Sequence, residues 1–261
     1  MLYENRRRAE IFGDDAEQYD RSRPHYPQRL IDYLVGGPSG GTGLHVLDVG
    51  CGTGIVARQL LGLGCEVLGV EADERMAAFA RRRGIEVEVS RFESWEDRGR
   101  RFDLLTAGQS WHWVDPDRGA DRAAQVLEPG GRIAMFWNIG RPPEDVQRAF
   151  DEAYQRVAPQ VDDDSVPRGR GVSARFESAA GGLRRSGAFS EPETTAYRWT
   201  RYYSAAEWLD QVQTHSDHRV LARQTVDVLL DGLGAVIESF GGGFTMSYKT
   251  SLVTALRLRG V

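Results

Sequence analysis

Cysteine is scarce: Cys51 and Cys65 are the two in 261 residues. Two thiols cannot build the disulfide framework of a small secreted domain, and both are read as free in a reducing compartment. No stretch approaches the ~18 consecutive apolar residues of a membrane-spanning helix. Arg6, Arg7 and Arg8 have no apolar run behind them, so a solvated helix face is expected there rather than a secretory signal, and the expected location is cytoplasmic. A basic excess is absent too. The 33 Lys and Arg stand against 38 Asp and Glu, for a formal net charge of −5. That balance disfavours general polyanion binding, so no nucleic acid partner is expected. There is no Gly-x-Ser-x-Gly elbow, and no Lys follows the glycines as in a phosphate loop.

What is present is alternation. Residues 1–41 read as a helical segment, with the turn Arg23-Pro-His-Tyr-Pro27 and then a glycine-rich loop, Gly36–Gly43. Residues 42–140 alternate short apolar runs with helical patterns. The runs are Leu44–Val49, Glu66–Val70, Glu86–Val89, Phe102–Ala107 and Arg132–Trp137. Ile55–Leu63, Arg75–Arg83 and Asp121–Leu127 have helical spacing, the last stopped by Glu128-Pro-Gly-Gly131. Strands and helices of this size imply right-handed βαβ units and a mainly parallel sheet. Residues 141–192 read as an insertion on the acceptor side. It has one helix, Glu144–Val157, and prolines and glycine pairs that predict loop or lid elsewhere. Residues 193–261 close the fold with a strand (193–203), helices over Ala205–Thr214 and Asp217–Phe240, and a last strand in Phe244–Leu258.

The sharpest motif is Asp48-Val-Gly-Cys-Gly-Thr-Gly54, between the first strand and the first helix of the core. Gly50, Gly52 and Gly54 let the backbone turn tightly and approach a ligand with no Cβ in the way, while the helix turns free amides toward the crevice. A dinucleotide fingerprint starting at Gly50 would need glycine at position 55, where Ile55 stands. Asp48 would repel a pyrophosphate and attract a ligand bearing an ammonium and a sulfonium. Glu71 ends the second strand, roughly twenty residues beyond the loop, where Rossmann-type folds place a carboxylate on ribose hydroxyls.

These residues resemble motif I and its partner acid in class I S-adenosylmethionine-dependent methyltransferases. The resemblance implies a Rossmann-like, doubly wound α/β fold: a mainly parallel seven-stranded sheet, a helical N-terminal lid, and an insertion before the last two strands. It implies that Glu71 takes the ribose, that Ala72 and Met76 lie near the adenine, and that Phe92 and Glu93 bracket it. Gly108-Gln-Ser-Trp-His-Trp113, the segment Phe12–Tyr19 and Ser247–Thr254 are similar to the methyltransferase type 11 group, which includes trans-aconitate methyltransferases. By that likeness Tyr19 and Tyr26 sit over the crevice as a lid, with Tyr26, Trp113 and Asn138 toward the acceptor and Gln109 against the methionine part of S-adenosylmethionine. Trp111 and Trp113 also read as wall and core.

Methyl transfer needs alignment and exclusion of water more than it needs side-chain chemistry. A base is required only if the acceptor is protonated. His112 is the candidate for it; the alternative is a ring fixed by hydrogen bonds in the site wall. His215 and His218 have the spacing of a metal pair but no convincing third ligand, so no metal is expected and they are read as surface or acceptor-pocket residues. The leading expectation is a methyltransferase, monomeric or homodimeric, acting on O, N, S or a carboxylate of a small-molecule acceptor. A non-catalytic binder of the same cofactor is the alternative. Protein or RNA methylation ranks lower: Gly108-Gln-Ser-Trp-His stands where amino-methylating DNA enzymes carry Asn-Pro-Pro-Tyr.

Overall fold

The computed structural model describes residues 15–37, 40–159, 161, 170–215, 218 and 221–260, with backbone alone for 170–172. The five apolar runs of the core form β1 (His45–Val49), β2 (Glu66–Glu71), β3 (Glu86–Val89), β4 (Phe102–Gly108) and β5 (Leu127–Arg141). Two more strands follow, β6 (Glu193–Ser204) and β7 (Gly243–Leu256). The sheet has the order β3-β2-β1-β4-β5-β7-β6. β1 to β5 pair in parallel, and β7 runs antiparallel to both β5 and β6. β1 and β2 are buried along almost their whole length, as strands covered by helices on both faces must be. Strand order reverses between β1 and β4, which opens a crevice at their C-terminal ends.

The described helices are α1 (Ala16–Ser22), α2 (Gln28–Leu34), α3 (Ile55–Leu61), α4 (Glu74–Arg82), α5 (Pro116–Val126), α6 (Glu144–Val157), α7 (Arg170–Ser186), α8 (Ala205–Val212) and α9 (Arg223–Ser239). Local chemistry starts several of them. Asp73 caps α4 through the Arg75 amide, and Asp115 caps α5 through the amides of Asp117 and Arg118, with Pro116 at the first position. Ser204 and Glu207 form a reciprocal capping box at α8. Alternate strand residues feed opposite cores. Leu47, Val49 and Leu105 face α5 and α7, whereas Val46, Val67 and Leu104 face α2 and α3. A third core joins α6, α8 and α9 to the extended ends of β6 and β7 through Phe150, Tyr203, Trp208, Leu233 and Phe244.

Three expectations change. The stretch read as loop or lid contains α7, a 17-residue helix. Its Gly182, which reads as a breaker, is a contact point: a Cβ there would come within 2.2 Å of the Pro116 carbonyl oxygen on α5. The helix stops before Glu128 as expected, but the fifth strand, expected over Arg132–Trp137, runs from Leu127 to Arg141 and begins directly after α5. The last helix begins at Arg223 rather than Asp217; residues 217, 219 and 220 lie outside the described residues, as do Arg6–Arg8 and Phe12.

Candidate active site

The chain turns between Val49 and Ile55, and its glycines divide the work. Gly54 has φ +85°, and a Cβ on it would lie 1.9 Å from Ile85 Cδ1, so the fold itself requires glycine there. Gly50 is held against Ser110, whose Cβ would be 2.5 Å from an added methyl. Gly52 differs: with φ +57°, its Cβ would meet nothing nearer than Met76 Cε at 3.7 Å. That position is a cradle without a structural occupant. The amides of Gly50 and Cys51 donate to the Val70 carbonyl at 2.7 and 3.3 Å, fastening the loop to β2.

Two carboxylates flank the turn. Asp48 is 1% exposed; Thr106 Oγ1 donates to its Oδ1 at 2.8 Å, and its Oδ2 is buried without a hydrogen-bond partner. Glu71 accepts the Gly52 amide on Oε2 and the Asp73 amide on Oε1, both at 2.9 Å. Burial pushes the Asp48 carboxyl up to about 7, against the pull of the Thr106 hydroxyl, with Glu71 adding repulsion. Burial likewise raises Glu71, against the pull of the Asp73 and Gly52 amides. Among the described residues no basic group is a leading cause of either shift. Burial also raises the Cys51 thiol inside the loop, and Cys51 and Cys65 are both free.

Met76 on α4 is 3% exposed and packs with Ala16 and Phe79, with the half-buried Tyr19 of α1 against them. Ala72 is half-buried at the mouth of the crevice. Phe92 lies in the core, its ring centroid 6.0 Å from that of Trp111, and Glu93 accepts the Asp115 amide at 2.9 Å. Both therefore have structural partners beside the crevice. The Tyr26 ring meets Phe136 edge-on at 4.7 Å, and its hydroxyl would be 2.9 Å from a Cβ on Gly108 at the end of β4.

The segment after β4 is strained and tightly tied. Gln109 has φ +57°, a conformation costly for a residue with a side chain. Its amide donates to the Phe136 carbonyl at 2.9 Å and its Nε2 to the Asn138 carbonyl at 3.0 Å, which fixes it in place. Trp137 Nε1–H donates to His112 Nδ1 at 3.2 Å. An imidazole whose Nδ1 accepts carries its proton on Nε2, and burial together with the Arg175 charge holds His112 well below the usual imidazole range. His112 is thus a neutral ring with one N–H to give. Trp111 is buried in the core and Trp113 is half-buried, its ring 4.9 Å from that of His112.

Contacts absent from the motifs hold the crevice together. Asn138 Nδ2 donates to the His25 carbonyl at 3.3 Å, and its Oδ1 accepts from Thr250 Oγ1 at 2.6 Å. Thr250 in turn accepts from Trp199 Nε1 at 2.8 Å, so one chain of bonds joins β5, β6 and β7 to the segment before α2. Arg58 donates to the Thr53 carbonyl in the glycine loop and to Asp20 on α1, at 2.7 and 2.6 Å. Apart from the local Arg58–Thr53 bond, no sequence signal marks these pairs, because their members lie 38 to 113 residues apart. The surface alternative for His215 and His218 is overturned: they are 7% and 1% exposed. Among the described residues no group of three or more His, Cys, Asp or Glu could hold a metal ion, and no helix is long and apolar enough to cross a membrane.

The family model described as "Methyltransferase domain" matches residues 46–131, which run from β1 into β5 and contain the glycine turn, both carboxylates and His112. These residues carry a methyltransferase domain, and the sheet order around them is that of the class I methyltransferase fold. The methyltransferase domain is 35% identical over 130 residues to an uncharacterized methyltransferase of Mycobacterium tuberculosis, covering 49% of this chain and 51% of that one. It is 32% identical over 126 residues to a ubiquinone biosynthesis O-methyltransferase of Alkalilimnicola ehrlichii, covering 45% and 50%. The chain spans about half the length of the curated relatives it matches. Among solved structures it resembles a protein of Anaeromyxobacter dehalogenans assigned as a type II methyltransferase, with a TM-score of 0.65 and 21% identity over 90% of this chain and 98% of that one. A phosphoethanolamine N-methyltransferase of Haemonchus contortus, solved with S-adenosylhomocysteine, gives a TM-score of 0.52 at 17% identity, over 95% and 57%. At these identities the two structures speak for the fold of the methyltransferase domain. The narrower likeness to trans-aconitate methyltransferases rests on the sequence motifs alone.

Proposed function

We propose that this chain binds S-adenosylmethionine in the crevice at the C-terminal ends of β1, β2 and β4 and transfers its methyl group to an O, N or S atom, or a carboxylate, of a small-molecule acceptor. One observation carries the reading: two buried acids flank a turn with an open cradle at Gly52, and among the described residues no basic group is a leading influence on either of them. A buried carboxylate without a cationic partner is costly, and a ligand that brings positive charge offsets that cost.

Asp48, with its unpartnered Oδ2, would face the ammonium end of the cofactor. Glu71 would trade its amide partners for ribose hydroxyls, and Ala72, Met76, Phe92 and Glu93 would bound the adenine. When bound, the cofactor supplies a methyl carbon already activated by the sulfonium. The chain's own task is to hold the acceptor in line and keep water out. Tyr19, Tyr26 and Gln109 would line the passage. His112 would serve by holding an acceptor oxygen with a hydrogen bond from Nε2–H, the proton staying on the ring, rather than by taking a proton, since its Nδ1 already accepts from Trp137. The O-methyltransferases among the relatives and the phosphomonomethylethanolamine complex of the Haemonchus enzyme support a small acceptor.

Calorimetry with S-adenosylhomocysteine, followed by transfer of labelled methyl to a mixed small-molecule panel, tests both halves. Saturable heat and labelled small product are expected. Absence of heat with this ligand, alongside saturation by NADH, would overturn the cofactor assignment. Label appearing on RNA or protein would overturn the acceptor assignment.

A further inference from the structure

A second group of buried polar atoms lies between α1, α8 and the far ends of β6 and β7, outside the cofactor crevice. The hydroxyls of Tyr203 and Tyr248 are 2.7 Å apart, and the Gln211 side chain bonds to Tyr248 while its Oε1 has no partner. His215 Nδ1 and His218 Nδ1 are also unpartnered; His218 Nε2 lies 2.9 Å from the Tyr154 hydroxyl. Gln211, His215 and His218 are 5%, 7% and 1% exposed. Buried polar atoms without partners are rare in folded proteins, so a group of them in one region, with the two imidazoles 5.6 Å apart, points to an occupant.

The charge of the cluster says what kind. Arg23 donates to Thr214 Oγ1 and to the Thr214 carbonyl, both at 2.9 Å, and its charge reaches both imidazoles and both phenols. Arg201 lies over the Tyr203 ring at 4.4 Å. Among the described residues no acid is a leading influence on the four rings, and neither arginine forms an ion pair with a carboxylate. Glu207 feels Arg201 but is engaged in its own capping box. Both guanidiniums are half-buried, Arg201 also donating to the Ser22 carbonyl at 3.4 Å, and an oxyanion would complement their charge as water does not. Arg23 also lies 4.8 Å above the Tyr19 ring, and Tyr19 packs on Met76, so the cluster adjoins the cofactor crevice.

We propose that this cluster is the anchor for the acceptor, and that the acceptor carries an oxyanion, a carboxylate or a phosphate, held by Arg23 and Arg201. The inference rests on the methyl-transfer reading for the word acceptor, but the anion site itself stands apart from it. The arginines grip the oxyanion, while Gln211, His215 and the tyrosine pair give or accept the remaining hydrogen bonds. The atom to be methylated then projects past Tyr19 toward the crevice.

The chain has five histidines, so their ring resonances can be followed singly in the intact protein. Benzoate, inorganic phosphate and benzamide, each to ~10 mM, are titrated against that protein with and without S-adenosylhomocysteine. Benzoate or phosphate should saturate, shift His215 and His218 but not His45, and move the midpoint at which those two rings protonate upward; benzamide should do none of this. Arg23→Gln, and independently Arg201→Gln, should weaken the anion at least ~10-fold without changing S-adenosylhomocysteine affinity. Equal shifts with benzamide, or no saturable shift with either anion, would overturn the anchor. Anion binding without any S-adenosylhomocysteine binding would leave the anchor standing and sink the methyl-transfer reading instead.

Discussion

Trp137 and His112 face each other across 3.2 Å, with the indole N–H donating to Nδ1 of the imidazole. Trp137 sits on β5 and is 2% exposed, while His112 lies in the short turn after β4, so a rigid strand fixes the tautomer of a ring at the crevice wall.

That bond predicts a neutral ring protonated at Nε2. Nitrogen NMR of the His112 ring should show the Nε2–H tautomer at pH 7, with protonation only well below the usual imidazole range. His112→Asn should lower turnover by ~10–100-fold by removing a donor to the acceptor, and should leave S-adenosylhomocysteine affinity unchanged. An acid limb in the pH–rate profile that disappears in this variant would show that His112 acts as a base.

Asp48 couples cofactor binding to protons. Its carboxyl is held at about 7 in the folded protein, so between the ordinary carboxylate range and pH 7 the native state binds more protons than the unfolded chain. Stability therefore falls as pH rises through that window, by up to roughly 4 kcal/mol. Asp48→Asn should flatten this dependence and raise the melting temperature at pH 8. A cationic ligand should expel the proton, so calorimetry of S-adenosylmethionine at pH 6.5 in buffers of different ionisation enthalpy should register proton release, and Asp48→Asn should abolish it. Buffer-independent heats for the native protein would contradict this.

Gly54 and Gly52 should separate folding from binding. Gly54→Ala drives a methyl into Ile85 at a left-handed φ and should cost about 2–4 kcal/mol of stability, visible in denaturant unfolding. Gly52→Ala meets only Met76 Cε at 3.7 Å and should cost about 1 kcal/mol, yet it narrows the cradle and should weaken S-adenosylhomocysteine by ~10-fold or more.

Asp20 and Arg58 tie α1 to the glycine loop through a pair with side chains 12% and 27% exposed. Asp20→Asn should weaken S-adenosylhomocysteine by up to ~5-fold, and the difference from native should shrink at high salt. Titrations at low and high ionic strength read this directly.

The arrangement of the first βαβ unit was legible because it is local. Asp48, the glycines and Glu71 lie within one βαβ unit, where turn geometry and strand periodicity fix positions over short distances. The acceptor-side segment was not legible in the same way. Glycines 181 and 182 look like helix breakers in isolation, and Gly182 becomes useful only because α5 comes close enough that any Cβ would strike Pro116. His215 and His218 look like polar residues at home in water, and they are buried only because α6, α8 and the extended β6–β7 pair close over them.

The amino-acid sequence by itself determined the alternating parallel core, the tight glycine turn after β1, and the placing of two acids beside it, since each follows from spacing along a few tens of residues. Tertiary structure alone decided the state of the groups that face the crevice. Trp137 sets the proton of His112, burial raises Asp48, Asn138 pins the segment before α2, and Arg23 meets a cluster almost two hundred residues away. The reason is physical: protonation and hydrogen-bond partnership depend on desolvation and neighbours, and those are set only when distant elements pack.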